Sequence, residues 1–493
     1  MREHILSKHP LLIPFLGALS GTLCDVPSLL LFFVIVFLLI KRRHAIYIKF
    51  LILFVLFSMV TSIVSSIQYE SFNYRKKKIE NEDDIIFQVI QTHKSVKGDY
   101  LILDCSIKSI GNESTNGKAK IIIDRRASVS VGGIYCANYT LLKKSNIDRK
   151  FEKFNYSRDL LGTLLVKANQ ISALSGYNLN SFASANWVRQ NLTIRLHVYL
   201  RAFSMNLYKR TFLGLKSDFN DKQLQGFKKA GVMHALTISG MHMAIIFGAL
   251  IFPVKLLMRK WHFTRWLKLL SIPFLWFYAE ITGSAPPVER AFVFISISVI
   301  SSLLINRDVR IRDSVFTVGV LYLIFQPRSI FDISVQLSFA AVFGIAWIVP
   351  ILKSIYSTSN ILLDFLWSSI CMSIGCTIST LPFILYYFGE ISSGFIIGNL
   401  LLGSLFTIWV VLCLLISIFA LLHIELVFSI GCKLMNYFGY VIEYISLQFF
   451  KLKISGLKVS SFSSFELIYC YILITSAVIF LINYQESKSD KLQ

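Results

Sequence analysis

Charge is scarce in this sequence, and acid is scarcest. Charged residues make up 16% of the 493 residues, and 50 Lys+Arg stand against 28 Asp+Glu. Ordinary soluble domains carry about 25% charged residues, so a soluble enzyme is excluded. With 55% apolar residues, a disordered chain is excluded too. Length alone would suggest about three soluble domains. A mean hydropathy of +0.61 and repeated apolar runs of about 18 residues or more point instead to one polytopic bundle. Several chemical signatures are also missing. No CxxC pair occurs, which removes zinc-ribbon and thioredoxin-like sites. No GxxxxGK[ST] loop occurs, so no ATPase is expected. No metal or cofactor is expected either. The first apolar stretch has no A-x-A site, so no cleavable leader is expected.

What is present is basic. The formal net charge is +22. Part of it belongs in cytoplasmic loops, where it orients the spans. The excess also suits a polyanion such as nucleic acid, or an anionic lipid surface, and composition does not choose between them. Six of the eight cysteines (Cys24, Cys371, Cys376, Cys413, Cys432, Cys470) lie in apolar segments, where Cys acts as a small hydrophobe. Cys105 and Cys136 do not. They are either a disulfide, in an oxidising compartment, or two separate half-buried thiols.

The hydropathy pattern predicts a polytopic α-helical membrane protein of about 11–12 spans with a small β-barrel, a soluble insert. The expected organisation is N-terminal membrane helices over 1–68, the soluble insert over 69–190, an amphipathic interfacial segment over 191–230, and a transmembrane domain over 231–493. Stretches near 10–23, 27–40 and 50–68 open the chain. Lys41-Arg42-Arg43 and Lys49 make the loop before the third stretch cytoplasmic, which delivers the insert to the outer face. Further spans are expected near 234–257, 267–283, 287–305, 314–326, 330–352, 362–388, 395–421, 424–448 and 464–483. The arginine- and lysine-rich loops 255–268 and 306–313 agree with that orientation. Lys451, Lys453 and Lys458 do not, which leaves a re-entrant or interfacial segment near 424–458 open.

Between 71 and 190 the chain is polar, with 19 Lys+Arg against 11 Asp+Glu. Leu101, Leu103, Cys105 and Ile107 alternate onto one face, as do Ala119, Ile121 and Ile123, with Lys118, Lys120 and Ile122 on the other. Period-2 alternation bounded by turn residues predicts strands. Basic grooves with aromatic platforms hold single strands without sequence preference. Here Lys118, Lys120, Arg125, Arg126, Lys143 and Lys144, with Tyr135 and Tyr139, are the candidates. In 186–216, Arg189, Arg195, Arg201, Lys209, Arg210 and Lys216 stand among apolar residues, which suits a helix lying in the interface plane. The alternative is a helix capping a pore mouth.

Four clusters place polar groups in apolar surroundings, where they are costly and tend to face an interior or a wet cavity. The first is Gly231 to Ala244, with His234, Ser239, Gly240 and His242. Gly240, Ala244 and Gly248 offer a smooth face for a second helix. Ser239 and His242 share another face if the helix is continuous; the bland readings are a self-bonded Ser and an interfacial His. The second is Gly283 to Ala291, where Pro286-Pro287 starts a helix and Arg290 follows. The third is Asp332 to Ala341, with Gln336 and Ser338 as pore candidates or plain interhelical glue. The fourth holds Pro382, Tyr387, Gly389 and Asn399; Pro382 can break a helix and free backbone groups.

These clusters resemble the ComEC competence family. His234 with Ser239-Gly240-Met241-His242 matches its most recognisable motif. Arg290-Ala291, Gln336 to Ala341, and Pro382 with Tyr387-Phe388-Gly389 and Asn399 match the later ones in the same order. The insert resembles the family's OB-like outer domain, and Tyr156-Ser-Arg-Asp-Leu-Leu resembles the segment closing it. The resemblance implies transport of single-stranded DNA across the bacterial inner membrane during natural transformation, with the insert on the outer face. It implies DNA and membrane lipids as partners, a receptor on the outer face, and a separate nuclease or motor. The metallo-β-lactamase-like domain of many members and its HxHxDH motif are absent from this sequence, so a channel and not an enzyme is expected. The competing readings are a small-solute transporter with broken helices and a membrane-embedded hydrolase using Ser239 and a His.

Overall fold

The computed structural model describes residues 45–82, 84–94, 100–111, 113–124, 129, 132–142, 155–174, 180–215, 217–257, 268–304, 311–452, 456–459 and 462–490. The apolar stretches 10–23 and 27–40, and the candidates Arg125, Arg126, Lys143 and Lys144, lie outside the described residues. The chain divides into two units, Met1–Asn186 with Phe316–Val335, and Trp187–Val315 with Gln336–Gln493.

In the first unit, helix α1 (Ala45–Asn81) does not stop at residue 68. Its last turns carry Phe72 and Ile79, both buried among the strands. The polar run Arg75-Lys76-Lys77-Lys78 made the sequence read as a boundary. Two of those cations are instead used inside the unit, Arg75 on Asp159 and Lys78 on Glu113. The strands are β1 (Asp84–Lys94), β2 (Tyr100–Ile110), β3 (Glu113–Asp124), β4 (Ile134–Asn138), β5 (Thr140–Leu141), β6 (Leu160–Val166) and β7 (Ile171–Ala173). They form one mixed sheet in the order β5-β6-β3-β2-β1-β4-β7, in which β6 runs parallel to β3.

The alternation read from the sequence holds. Leu103, Cys105, Ile107, Ala119, Ile121 and Ile123 are buried, and Lys118 and Lys120 are exposed. One expectation is not met, and one open choice is decided. The sheet is not closed into a barrel by hydrogen bonds. Cys105 and Cys136 are free. Cys105 pairs with Val89, and Cys136 with Ile86, three residues along β1. An odd offset puts the two thiols on opposite faces, Cys105 in the core and Cys136 half-buried, with β1 between their strands.

The second unit is helical. Its elements are α2 (Asn180–Tyr199, which begins in the first unit), α3 (Ala202–Thr211), α4 (Asp221–Lys229), α5 (Gly240–Leu257), α6 (Ser271–Ile281) and α7 (Pro286–Leu304). After α8 (Ile311–Phe325), α9 (Ile333–Lys353) leads from the first unit into the second. Then come α10 (Ile361–Phe388), α11 (Phe395–Leu421), α12 (Glu425–Lys451) and α13 (Ser464–Asp490). Among the described residues, five helices are long and apolar enough to cross a membrane: 286–303, α9, α10, α11 and 464–484. A shorter apolar helix covers Gly240–Pro253. α12 is one continuous helix of 27 residues.

The basic stretch sends several of its cations to the ends of other helices. On α2, Trp187, Ile194 and Val198 are exposed, while Arg189 is buried. Arg189 donates to Ile281 O (2.6 Å) and Glu280 O (3.2 Å) at the end of α6. Arg195 donates to Ala420 O at the end of α11 and to Glu425. Lys229 donates to Phe450 O (2.7 Å) and Leu452 O (2.9 Å) at the end of α12. Helix C-termini leave unpaired carbonyls and a partial negative charge. In an apolar bundle these must be met internally, and the cations of 189–229 meet them.

Candidate functional site

Residues of the four polar clusters, distant in sequence, meet in the second unit, the third cluster through Gln336. The first begins at Gly231, which has φ +72. A Cβ there would stand 2.8 Å from Phe395 Cβ. One at Gly398 would overlap Ala230 O, and one at Gly394 would overlap Lys229 O. Ser392 Oγ also donates to Lys229 O. The turn leading into the first cluster is therefore clamped, backbone to backbone, on the segment of the fourth that ends at Asn399.

Beyond Gly231 the chain makes a short 3-10 turn, Met233–Leu236, and helix α5 starts only at Gly240. His234 therefore lies outside the helix, and Ser239 is the residue before its first turn. His242 is completely buried. Its Nδ1 lies 3.2 Å from Ser239 N and 3.0 Å from Ser239 Oγ. A backbone N–H only donates, so Nδ1 accepts, and the ring proton of neutral His242 sits on Nε2. This is the return half of a capping box, with His242 in the place usually held by Glu or Gln.

Gly240 faces the second cluster, where its Cβ would lie 3.7 Å from Ala291 Cβ. Among the described residues nothing lies within 4 Å of a Cβ at Gly248, so no close helix approach is described at that end of the expected smooth face. Arg290 sits early in α7 and is 5% exposed, so it does not snorkel to a free surface.

The third and fourth clusters meet through side chains. Tyr387 Oη donates to Gln336 Oε1 at 2.8 Å, and Asn399 Nδ2 donates to Ser373 Oγ at 2.9 Å. Asn399 opens a π-helical turn, Asn399–Gly403, inside α11. Such single turns are rare and concentrate at functional sites. Pro382 lies within α10 without breaking it. In the turn before it, Tyr471 Oη of α13 donates to Ser379 O at 2.9 Å, the kind of neighbour that satisfies backbone loosened by Pro in an apolar bundle. Ser338 is half-buried on α9. Among the described residues no group of three or more His, Cys, Asp or Glu is placed to hold a metal.

A family model described as Competence protein matches residues 212–483, more than half of the chain. This chain belongs to the competence protein family. All four clusters of the competence domain fall inside the matched range. The chain is also similar to ComE operon protein 3 of Bacillus subtilis (strain 168), with 23% identity over 436 residues, 85% of this chain and 52% of that protein. It thus spans about half the length of the curated relative it matches. No solved structure matches it.

The nucleic-acid candidates of the first unit are less uniform than the sequence implied. Tyr135 is 6% exposed and packs on Phe87, with ring centroids 6.0 Å apart. Tyr139 is buried, and its Oη donates to Ile79 O at 2.8 Å. Neither ring has a free face for stacking. Lys118 and Lys120 are exposed on one side of β3, but Lys120 is opposite Asp104 in register, whereas Lys118 is opposite Ser106.

Sequence reasoning missed the ionic cluster of the first unit. Asp159 takes Arg75 through both oxygens, at 3.0 and 3.0 Å, and Arg328 at 2.9 Å. Arg158 Nε donates to Asp332 Oδ2 at 2.9 Å. Asp332 Oδ1 accepts from Ser334 N and Ser334 Oγ, both at 2.7 Å. Asp332 is therefore a cap on α9. Burial alone would raise its carboxyl, but the Ser334 hydrogen bonds and the Arg158 charge outweigh that and hold it below the usual range. The only trace in the sequence was the Tyr156-Ser-Arg-Asp segment.

Proposed function

We propose that this protein is the inner-membrane channel for single-stranded DNA in natural transformation. The observation that carries this reading is the meeting of the four clusters within residues 212–483, the range matched by the competence family. A bilayer passes a polyanion only along a hydrated, polar-walled path. Gln336, Tyr387, Ser373 and Asn399 supply polar groups in helices otherwise apolar, and polar groups at such depth mark substrate pathways. The name of the Bacillus subtilis relative, ComE operon protein 3, supports the same reading.

The sheet is the outer, DNA-contacting part in this reading. β4 and β5 are separated by Tyr139 alone, yet β4 pairs with β1 and β5 with β6. A single stretch that touches both ends of the β1-β2-β3-β6 run supports an OB-like curl. Five apolar helices support a multi-pass protein of the inner membrane. A receptor on the outer face and a separate nuclease or motor complete the system, and the chain itself acts without catalysis. The hydrolase reading is weakened by His242, because the Nδ1 lone pair beside Ser239 Oγ already accepts the Ser239 N–H.

The test is a two-compartment uptake assay in a host that takes up DNA. With the gene deleted, labelled duplex is expected to collect outside the inner membrane, with none reaching the cytosol. Unchanged cytosolic entry would end the channel reading.

A further inference from the structure

The segment Tyr156–Asp159 is fastened more heavily than a strand entrance requires. Asp159 has φ +56, a left-handed conformation that a non-glycine residue adopts rarely and that persists where its surroundings over-determine it. Those surroundings are the Arg75 fork from α1 and Arg328 from the 3-10 turn Pro327–Phe331. One residue earlier, Arg158 reaches Asp332, whose side chain is 4% exposed. One turn earlier, the Tyr156 ring packs edge-on against Tyr69 (5.5 Å) and Phe72 (5.3 Å) of α1, and against Phe331 (6.3 Å). The backbone closes the set, since Lys118 N donates to Asp159 O at 3.0 Å. Tyr156, Arg158 and Asp159 thus tie α1, strand β3 and the segment 327–332 together, all within the first unit.

The clamp gains its meaning from α9, which the chain enters directly after residue 332. Asp332 gives one oxygen to Arg158 and the other to the first turn of that helix. The helix carries Gln336 little more than one turn on, the residue bonded by Tyr387. We propose that Arg158 and Asp332 are positioning residues for transport. They fasten the start of α9, the helix that carries Gln336, to the sheet within the first unit. Arg75 grips Asp159 through both oxygens, while Arg158 meets Asp332 through Nε, and removing Arg158 leaves the buried Asp332 charge without that partner.

The proposal rests on the transport reading only for its uptake readout, so its test has two arms, both in the full-length protein in its membrane. In the first arm, Asp332→Asn keeps an acceptor for Ser334 and removes the charge facing Arg158. Asp332→Asn and Arg158→Met are each expected to lower uptake by about tenfold or more at unchanged protein level, and Arg158→Lys to stay within about threefold of the parent. In the second arm, Arg158→Cys with Asp332→Cys is cross-linked by a short bismaleimide, with each single cysteine as control. An engineered protease site between the two positions reports the closure. Cross-linking in the double variant only, with uptake restored by the covalent tether, is the expected result. Normal uptake by Asp332→Asn and Arg158→Met would overturn the proposal, as would failure of the pair to cross-link or a block of uptake by the tether. If even the parent fails to deliver DNA to the cytosol, the transport reading falls, and the cross-link alone decides whether the clamp exists.

Discussion

At Gly398 the space for a side chain is already taken by the backbone of Ala230. Gly398→Ala is therefore expected to destabilise the protein by about 1–3 kcal/mol through overpacking. Gly248→Ala, with nothing within 4 Å of the new methyl, should be neutral or stabilise by up to about 1 kcal/mol, because Gly is a poor helix residue. Thermal unfolding of the two purified variants in the same detergent separates them. A smaller loss at Gly398 than at Gly248 would contradict the clamp between Ala230 and the fourth cluster. The spacing of Gly240, Ala244 and Gly248 was legible in the sequence as a smooth face, but the close approaches are at Gly231, Gly394 and Gly398. Local spacing reports which face a glycine shares; it does not report which distant backbone arrives there. The same limit applies to His242. Its proximity to Ser239 was legible at a separation of three residues. Its role as a cap was not, because the helix start moved from 234 to 240.

Helices in this chain are placed by how their ends are satisfied as much as by their apolar faces. α2 shows this most plainly. Its composition suits a helix in the interface plane or one capping a pore mouth; in the structure Arg189 and Arg195 reach the carbonyl ends of α6 and α11, and Trp187, Ile194 and Val198 are exposed. A count of cations along a helix carries no information about the open carbonyls of helices that come about 90 and 230 residues later. Strand alternation, in contrast, was legible, because in β2 and β3 a single buried face fixes the register. The cap on α9 gives a prediction with a sign. The Asp332 carboxyl is held low when folded, so its contribution to stability is fully present above the unfolded value of about 4 and is lost as pH falls through the folded value. Hydrogen exchange of the first turn of α9 is expected to quicken below about pH 4. In Asp332→Asn that acid limb is expected to flatten. An equal acid limb in both proteins would assign the loss to other carboxylates.

For the whole molecule, the question is whether its charge is a binding device or an orientation signal. The net +22 does not answer this, because many of the cations are already engaged within the fold. Arg75 and Arg328 serve Asp159, Lys78 serves Glu113, Lys228 serves Glu390, and Arg189, Arg195 and Lys229 serve helix ends. Lys118 and Lys120 stay exposed on the sheet, and they are not equivalent. Residues directly opposite in an antiparallel pair stand about 4.5–5.5 Å apart at Cβ, so Lys120 sits in the field of Asp104 while Lys118 faces the uncharged Ser106. If the sheet holds a single strand, each lysine that displaces a condensed counterion contributes about 0.7 to the slope of log affinity against log salt. Lys118→Gln in the purified full chain is expected to reduce that slope by about 0.7, and Lys120→Gln by distinctly less. Lys120→Gln with Asp104→Asn should recover part of the loss in affinity, since the removed acid also repels phosphate. Fluorescence anisotropy of a labelled oligonucleotide across a salt series reads all three. Slopes unchanged by either lysine would place the strand elsewhere and leave these two cations as solvated surface. A larger effect at Lys120 than at Lys118 would mean that the register partners do not set the local field, and the sheet would then lose its claim to a designated DNA-contacting face.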